Sequence, residues 1–208
     1  MADTSPSGSR MLADAIVERG RVEGLLIKVD DFLNHRVEPG LIRAIGRAIS
    51  EQFRESRPDL VLTAEASGIA PAVAAADHLG VACVYAKKYP RYASERPAYA
   101  REVASPTKRA DYRVEVAHRV LPSGASVLIV DDFLSRGRTA EALGEIVEEA
   151  GGSVVGFGFA IEKGYMEGRD RLESRGWRVE SLVIVTDLTP VLRLTVAGEG
   201  SGLVLTTD

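Results

Sequence analysis

The segment Val127-Leu128-Ile129-Val130-Asp131-Asp132-Phe133-Leu134-Ser135-Arg136-Gly137-Arg138-Thr139 constrains the fold of this chain more than any other. Its four leading apolar residues read as a strand buried on both faces. Two adjacent carboxylates stand where that strand should end. A short Ser-Arg-Gly-Arg-Thr turn follows, and Ala140, Leu143, Ile146 and Val147 then recur at helical spacing until Gly151-Gly152. A strand that feeds a tight glycine turn and then a helix N-terminus makes an anion cradle. The first N–H groups of the helix have no partner inside it, and the helix dipole favours negative charge there. The paired acids would repel a phosphate, but they can accept hydrogen bonds from two adjacent hydroxyls of a sugar. An anion cradle beside a diol-binding acid pair describes a site for a ribose 5-phosphate.

Strand and helix patterns alternate along the rest of the chain, which predicts an α/β domain with a mostly parallel sheet. Met11 to Arg19 reads as a short helix stopped at Gly20, and Gly24 to Val29 as a strand. Leu41, Ile42, Ile45, Ile49 and Phe53 form an apolar stripe on a helix opening at Pro39. Leu60 to Ala66 is strand-like, Pro71 to Leu79 an alanine-rich helix closed by Gly80, and Val81 to Ala86 another strand. From Lys87 to about Asp111 the pattern breaks down into a stretch rich in Lys, Arg, Pro and Tyr, expected to be a long basic loop. Tyr112 to Leu121, Val154 to Ile161 and Glu180 to Thr186 read as strands, Gly168 to Arg175 as a helix. Leu192 to Val196 and Leu203 to Thr206 read as edge strands or tail.

The 208 residues suffice for one well-packed domain, expected from residue 11 onwards, with Met1 to Arg10 as a disordered tail. A net charge of −4 gives no electrostatic reason to expect nucleic acid as a partner. Cys83 is the only cysteine, so an intramolecular disulfide is excluded, which suits a reducing cytoplasm. No signal-peptide core and no membrane-spanning run is present, and a membrane partner is not expected. His35, His78 and His118 show no metal-ligand spacing with each other or with Cys83, so no protein-held metal is expected.

In an open parallel sheet, ligands collect outside the carboxyl ends of the strands. Besides the turn after Val130, three segments are expected at that edge. They are Glu65-Ala66-Ser67-Gly68-Ile69-Ala70-Pro71, the basic loop, and Glu162-Lys163-Gly164-Tyr165. Gly68 would let backbone N–H groups approach an anion closely.

The run from Val127 to Thr139 resembles the phosphoribosyl-pyrophosphate signature of type I phosphoribosyltransferases. Its turn departs from the usual Ala-Thr-Gly-Gly-Thr in carrying Arg136 and Arg138 around Gly137, and wider turn chemistry belongs to the xanthine branch. Leu26-Ile27-Lys28-Val29-Asp30-Asp31-Phe32-Leu33-Asn34-His35, Ala66-Ser67-Gly68-Ile69-Ala70-Pro71-Ala72, Ala86-Lys87-Lys88, Thr107-Lys108 and Ile161-Glu162-Lys163 follow the order and spacing of that branch, from about residue 11 to residue 190. The Phe32-Leu33-Asn34-His35 segment discriminates most, because phosphoribosyltransferases in general lack it.

The resemblance implies a type I fold with a mostly parallel central sheet flanked by helices. A small hood is expected mainly from residues 11–38 and 164–208. It implies a homodimeric enzyme that transfers ribose 5-phosphate from phosphoribosyl pyrophosphate to xanthine, with Mg2+ carried on the pyrophosphate. Asp131 and Asp132 then serve catalysis by holding the ribose hydroxyls. Ser135, Arg136, Gly137, Arg138 and Thr139 hold the 5-phosphate, and Ser67 and Gly68 the pyrophosphate. Lys87, Lys88 or Lys108 closes over the pyrophosphate. Ile27 and Asn34 bind the purine from the hood, and Lys163 reads its 6-oxo group. Guanine and hypoxanthine share that 6-oxo group and stay open as alternative substrates. A regulator of the same fold that senses phosphoribosyl pyrophosphate is a third reading.

Overall fold

Alternation of buried strands with amphipathic helices produces one large sheet covered by helices on both faces. The computed structural model describes residues 7–24, 26–90, 97–104, 112–188, 192–199 and 205–206. The chain begins with α1 (Gly8–Arg19), β1 (Arg21–Glu23), β2 (Leu26–Lys28), a π-type turn (Asp30–Asn34) and α2 (Pro39–Phe53). It continues through β3 (Leu60–Ala64), α3 (Ile69–Leu79), β4 (Ala82–Pro90), β5 (Ala98–Val103), β6 (Tyr112–Ala117), β7 (Ser126–Leu134) and α4 (Arg138–Glu149). Then come β8 (Ser153–Lys163), α5 (Gly168–Glu173), β9 (Val179–Asp187), β10 (Arg193–Val196) and β11 (Leu205–Thr206).

The main sheet has nine strands in the order β11-β10-β9-β8-β7-β3-β4-β6-β5. Its centre, from β9 to β4, is parallel, and both flanks are antiparallel. The apolar run of β7 explains why helices cover both faces. Successive strand side chains point to opposite sides. Leu128 and Val130 therefore join the core beneath α1, α2 and α3, with Leu12, Ile45 and Ala72. Val127 and Ile129 join the core beneath α4, with Leu143, Ile146 and Trp177. Each such fully buried aliphatic side chain contributes about 1.5–3 kcal/mol.

Three local expectations are corrected. The N-terminal helix starts at Gly8 instead of Met11, because Ser7 caps it by accepting the Arg10 N–H at 3.1 Å. Residues 7–10 thus belong to the fold rather than to a tail, and residues 1–6 lie outside the described residues.

The stretch from Lys87 to Asp111 is largely strand where it is described. β4 leaves β3 after Ala86 and pairs with β6 from Lys87 to Pro90, while β5 pairs with β6 over Ala98–Val103. Its strands escaped the hydrophobic pattern because they are only half covered. Arg101 on β5 is instead held by Glu145 and Glu149 of α4. Residues 91–96 and 105–111 lie outside the described residues, among them Thr107 and Lys108.

The segments expected to form a hood divide between two places. β1 and β2 make a separate two-stranded antiparallel sheet, whereas β9, β10 and β11 extend the main sheet. Among the described residues, no helix is long and apolar enough to cross a membrane.

Candidate functional site

β3 leads through α3 to β4 on one side, and β7 leads through α4 to β8 on the other. The chain changes direction between β3 and β7, and a crevice opens outside their carboxyl ends. The turn after β3 delivers Ser67 to this crevice and the end of β7 delivers the acid pair. Asp132 Oδ1 accepts the Ser67 hydroxyl at 2.9 Å, and its Oδ2 accepts the Asn34 Nδ2–H at 3.3 Å. Two residues far apart in sequence therefore converge on one carboxylate that is 5% exposed.

Asp131 lies beside it, and its Oδ1 accepts the backbone N–H of Asp132 at 2.9 Å. Burial, reinforced by the neighbouring Asp132 carboxylate, raises the Asp131 pKa well above the usual carboxylate range, with Lys88 opposing the shift. Gly68 is required here by space. A Cβ at that position would overlap both Asp131 Oδ1 and Thr63 Oγ1. Asn34 Oδ1 is buried with no hydrogen-bond partner in the structure. An unpaired buried acceptor costs about 1–3 kcal/mol, so it is a ready partner for a ligand N–H.

The turn from Ser135 to Thr139 runs from β7 into α4. Gly137 adopts φ +71° at the helix N-cap, where no side chain caps the first turn, so first-turn N–H groups face the turn without a side-chain partner. A cavity of about 160 Å³ lies against this turn, lined by Asp131, Phe133 and Tyr112 as well as the turn itself. The Ser135 hydroxyl lies 3.0 Å from Met166 Sδ, and Thr139 Oγ1 lies 2.6 Å from the Tyr112 hydroxyl. The two arginine side chains are engaged outside the turn. Arg138 Nη1 donates to the Ala104 carbonyl at 3.2 Å, and Arg136 Nε lies 4.0 Å from Glu167.

On the opposite side, Lys163 ends β8 with its ammonium 5.6 Å from the centroid of the Phe133 ring. Burial lowers its pKa. Glu162 is engaged elsewhere, although the sequence places it beside Lys163. Its carboxylate is 3% exposed and accepts Arg169 Nε at 2.9 Å, Arg169 Nη2 at 2.5 Å and the Ser181 hydroxyl at 2.6 Å. This network ties the end of β8 to α5 and β9. Ile27 is buried on β2 opposite Val22 and belongs to the core that includes Phe32 and Leu33. Hydrogen bonds join Asn34 and Ser67 to Asp132, while Lys163 packs over Phe133, one residue beyond Asp132.

The candidate lysines part company. The Lys88 backbone N–H donates to Glu65 Oε1 at 2.6 Å, holding β4 against the turn that carries Ser67, and its ammonium lies 5.6 Å from the centroid of the Tyr112 ring. Lys87 lines a separate hollow of about 360 Å³ with Cys83, Tyr85 and Glu115. Sequence reasoning gave no role to Phe133, Tyr112 or the Glu162–Arg169–Ser181 network. Phe133 stands inside the run read most closely, but nothing in its spacing indicates that Lys163 packs over it. Among the described residues, no group of three or more His, Cys, Asp or Glu is arranged to hold a metal ion.

An acid pair at a switch point, next to a glycine turn that opens a helix, is the arrangement that the sequence reading expects of a site for a ribose 5-phosphate. Residues 31–186 match the phosphoribosyl transferase domain, and the chain belongs to that family. Its relatives place it further within the family. It is 45% identical over 172 residues to xanthine phosphoribosyltransferase of Laribacter hongkongensis, covering 82% of this chain and 90% of that protein. It is 43% identical over 182 residues to xanthine phosphoribosyltransferase of Geobacillus thermodenitrificans, covering 86% and 93%. Among solved structures, adenine phosphoribosyltransferase of Rhodothermus marinus superposes with a TM-score of 0.68 at 27% identity, covering 84% of this chain and 96% of that one.

Proposed function

We propose that this protein transfers the 5-phosphoribosyl group of phosphoribosyl pyrophosphate to xanthine, giving xanthosine 5-phosphate and pyrophosphate in purine salvage. The observation that carries the reading is the convergence of Asn34 and Ser67 on Asp132 at the switch point. Asn34 and Ser67, which the resemblance assigns to the base and the pyrophosphate, both lie within hydrogen-bond reach of Asp132, the acid it assigns to the ribose.

The reaction breaks the bond from the anomeric carbon to pyrophosphate and forms one to a purine nitrogen. Positive charge develops on the ribose ring as the leaving group departs. Asp131 and Asp132 accept the ribose hydroxyls and face that charge, which is electrostatic stabilisation by fixed groups. The N-terminus of α4 fixes the 5-phosphate, and backbone N–H groups around Ser67 and Gly68 hold the pyrophosphate. Fixing both ends leaves the anomeric carbon free to move towards the base. Lys163 donates to the 6-oxo oxygen, and Phe133 supplies an apolar wall. Ile27 closes the hood side.

Magnesium carried on the pyrophosphate would supply charge neutralisation for the leaving group. It would keep waters and substrate oxygens as its ligands, so no direct ligand from the protein is required. With Cys83 as its only cysteine, the chain suits the cytoplasm. A homodimer is part of this reading, as in the enzymes the sequence resembles. Sedimentation equilibrium tests the homodimer.

The direct test follows product formation by ultraviolet absorbance with xanthine, guanine or hypoxanthine, phosphoribosyl pyrophosphate and magnesium. Xanthine is expected to give the highest kcat/KM. A clear lead for guanine or hypoxanthine would move the assignment to that base.

A further inference from the structure

We propose that Tyr112 is a positioning residue of the phosphate cradle, whose hydroxyl orients the Thr139 hydroxyl to donate to the 5-phosphate of the substrate. The inference rests on the reading that the Ser135–Thr139 turn holds that phosphate.

The distance between the two hydroxyl oxygens, 2.6 Å, is at the short end for an O–H···O bond. A threonine hydroxyl has one proton and two acceptor sites, and a phosphate only accepts. When Tyr112 donates to Thr139 Oγ1, the single threonine proton is left to point at the anion. Two hydroxyls in series polarise one another, which strengthens the outer donor. Without the tyrosine hydroxyl, nothing on this side fixes the rotation of the Thr139 hydroxyl, and its proton is no longer held towards the ligand.

Tyr112 is well held for this task. It pairs with Pro90 on one side and Val103 on the other, so its backbone is fixed between two strands. Its ring packs against the core beneath α4 and carries the Lys88 ammonium 5.6 Å from its centroid. The ring also lines the cavity in front of the turn. A second tie joins the same strands to the same helix start, from Arg138 Nη1 to the Ala104 carbonyl at 3.2 Å. The β5–β6 extension is thus bonded to two successive residues of α4, and it sets the cradle's shape from outside the signature run.

The test compares Tyr112→Phe, Thr139→Val and the double variant. Tyr112→Phe should raise KM for phosphoribosyl pyrophosphate about 10-fold, the scale of one hydrogen bond to a charged group. It should leave kcat at saturation and KM for xanthine within about 2-fold. In titration calorimetry it should weaken ribose 5-phosphate binding by a similar factor and leave pyrophosphate binding unchanged. The double variant should be no worse than Thr139→Val, because both changes remove one relay. An unchanged KM for phosphoribosyl pyrophosphate in Tyr112→Phe, or losses that multiply in the double variant, would overturn the inference while Thr139→Val still impairs binding. If Thr139→Val itself leaves ribose 5-phosphate binding intact, the cradle assignment fails first and the inference with it.

Discussion

Asn34 Nδ2 and Asp132 Oδ2 lie 3.3 Å apart across the crevice, joining the π-type turn to the end of β7. This bond engages the amide assigned to the base and one oxygen of the acid assigned to the ribose. Bound ribose must compete for Asp132, and in doing so it releases Asn34 towards the purine. Asn34→Ala is therefore expected to lower kcat/KM for xanthine about 10-fold, the scale of one lost hydrogen bond, without weakening phosphoribosyl pyrophosphate. Wild-type protein should bind xanthine more tightly with ribose 5-phosphate present than without it. Equal xanthine affinity in both conditions, measured by calorimetry, would remove this coupling.

In the proposed mechanism the acid pair carries the electrostatic part. Replacing Asp131 and Asp132 together with Asn should keep the fold and lower turnover roughly 10²–10³-fold, as expected for losing a preorganised charge. Circular dichroism checks the fold and steady-state rates check the loss.

Asp131 also makes a pH prediction whose sign is fixed. Its folded-state pKa lies above the unfolded value, so the folded state holds the proton more tightly. Stability from this group is highest below the unfolded pKa and declines as pH rises through the folded one. Asp131→Asn should thus raise Tm at neutral pH and flatten the acid limb of the rate profile. A Tm unchanged by the substitution would show that the acid carries no such cost.

Lys163 offers only donors, so it can pair with a 6-oxo group but not with the 6-amino group of adenine. Lys163→Ala should weaken xanthine, guanine and hypoxanthine together, with no effect on ribose 5-phosphate binding. Unchanged xanthine kinetics would put the base elsewhere.

The Glu162–Arg169 pair should matter for stability more than for chemistry. Arg169→Ala leaves Glu162 buried with only Ser181 as its described partner, a loss of about 3 kcal/mol on the scale of broken buried pairs. Urea unfolding measures it. Because Glu162 precedes Lys163, a smaller rise in KM for xanthine should accompany it, with KM for phosphoribosyl pyrophosphate unchanged.

The amino-acid sequence determined the features that depend on near neighbours. The four apolar residues before Asp131 specified a strand buried on both faces, and Gly137 with the stripe from Ala140 to Val147 specified the turn and α4. Strand alternation and helical spacing act over a few residues, so they survive in a linear reading. The tertiary structure decided what depends on how the strands are ordered. Placing β7 beside β3 brought Ser67 to Asp132, and folding β2 and the π-type turn over the crevice brought Asn34 to the same carboxylate. Glu162 turned to Arg169 while Lys163 packed over Phe133, and the weakly patterned β6 carried Tyr112 to Thr139. These pairs are separated by 7 to 98 residues. Their contacts follow from sheet order and strand facing, which local spacing along the chain does not encode.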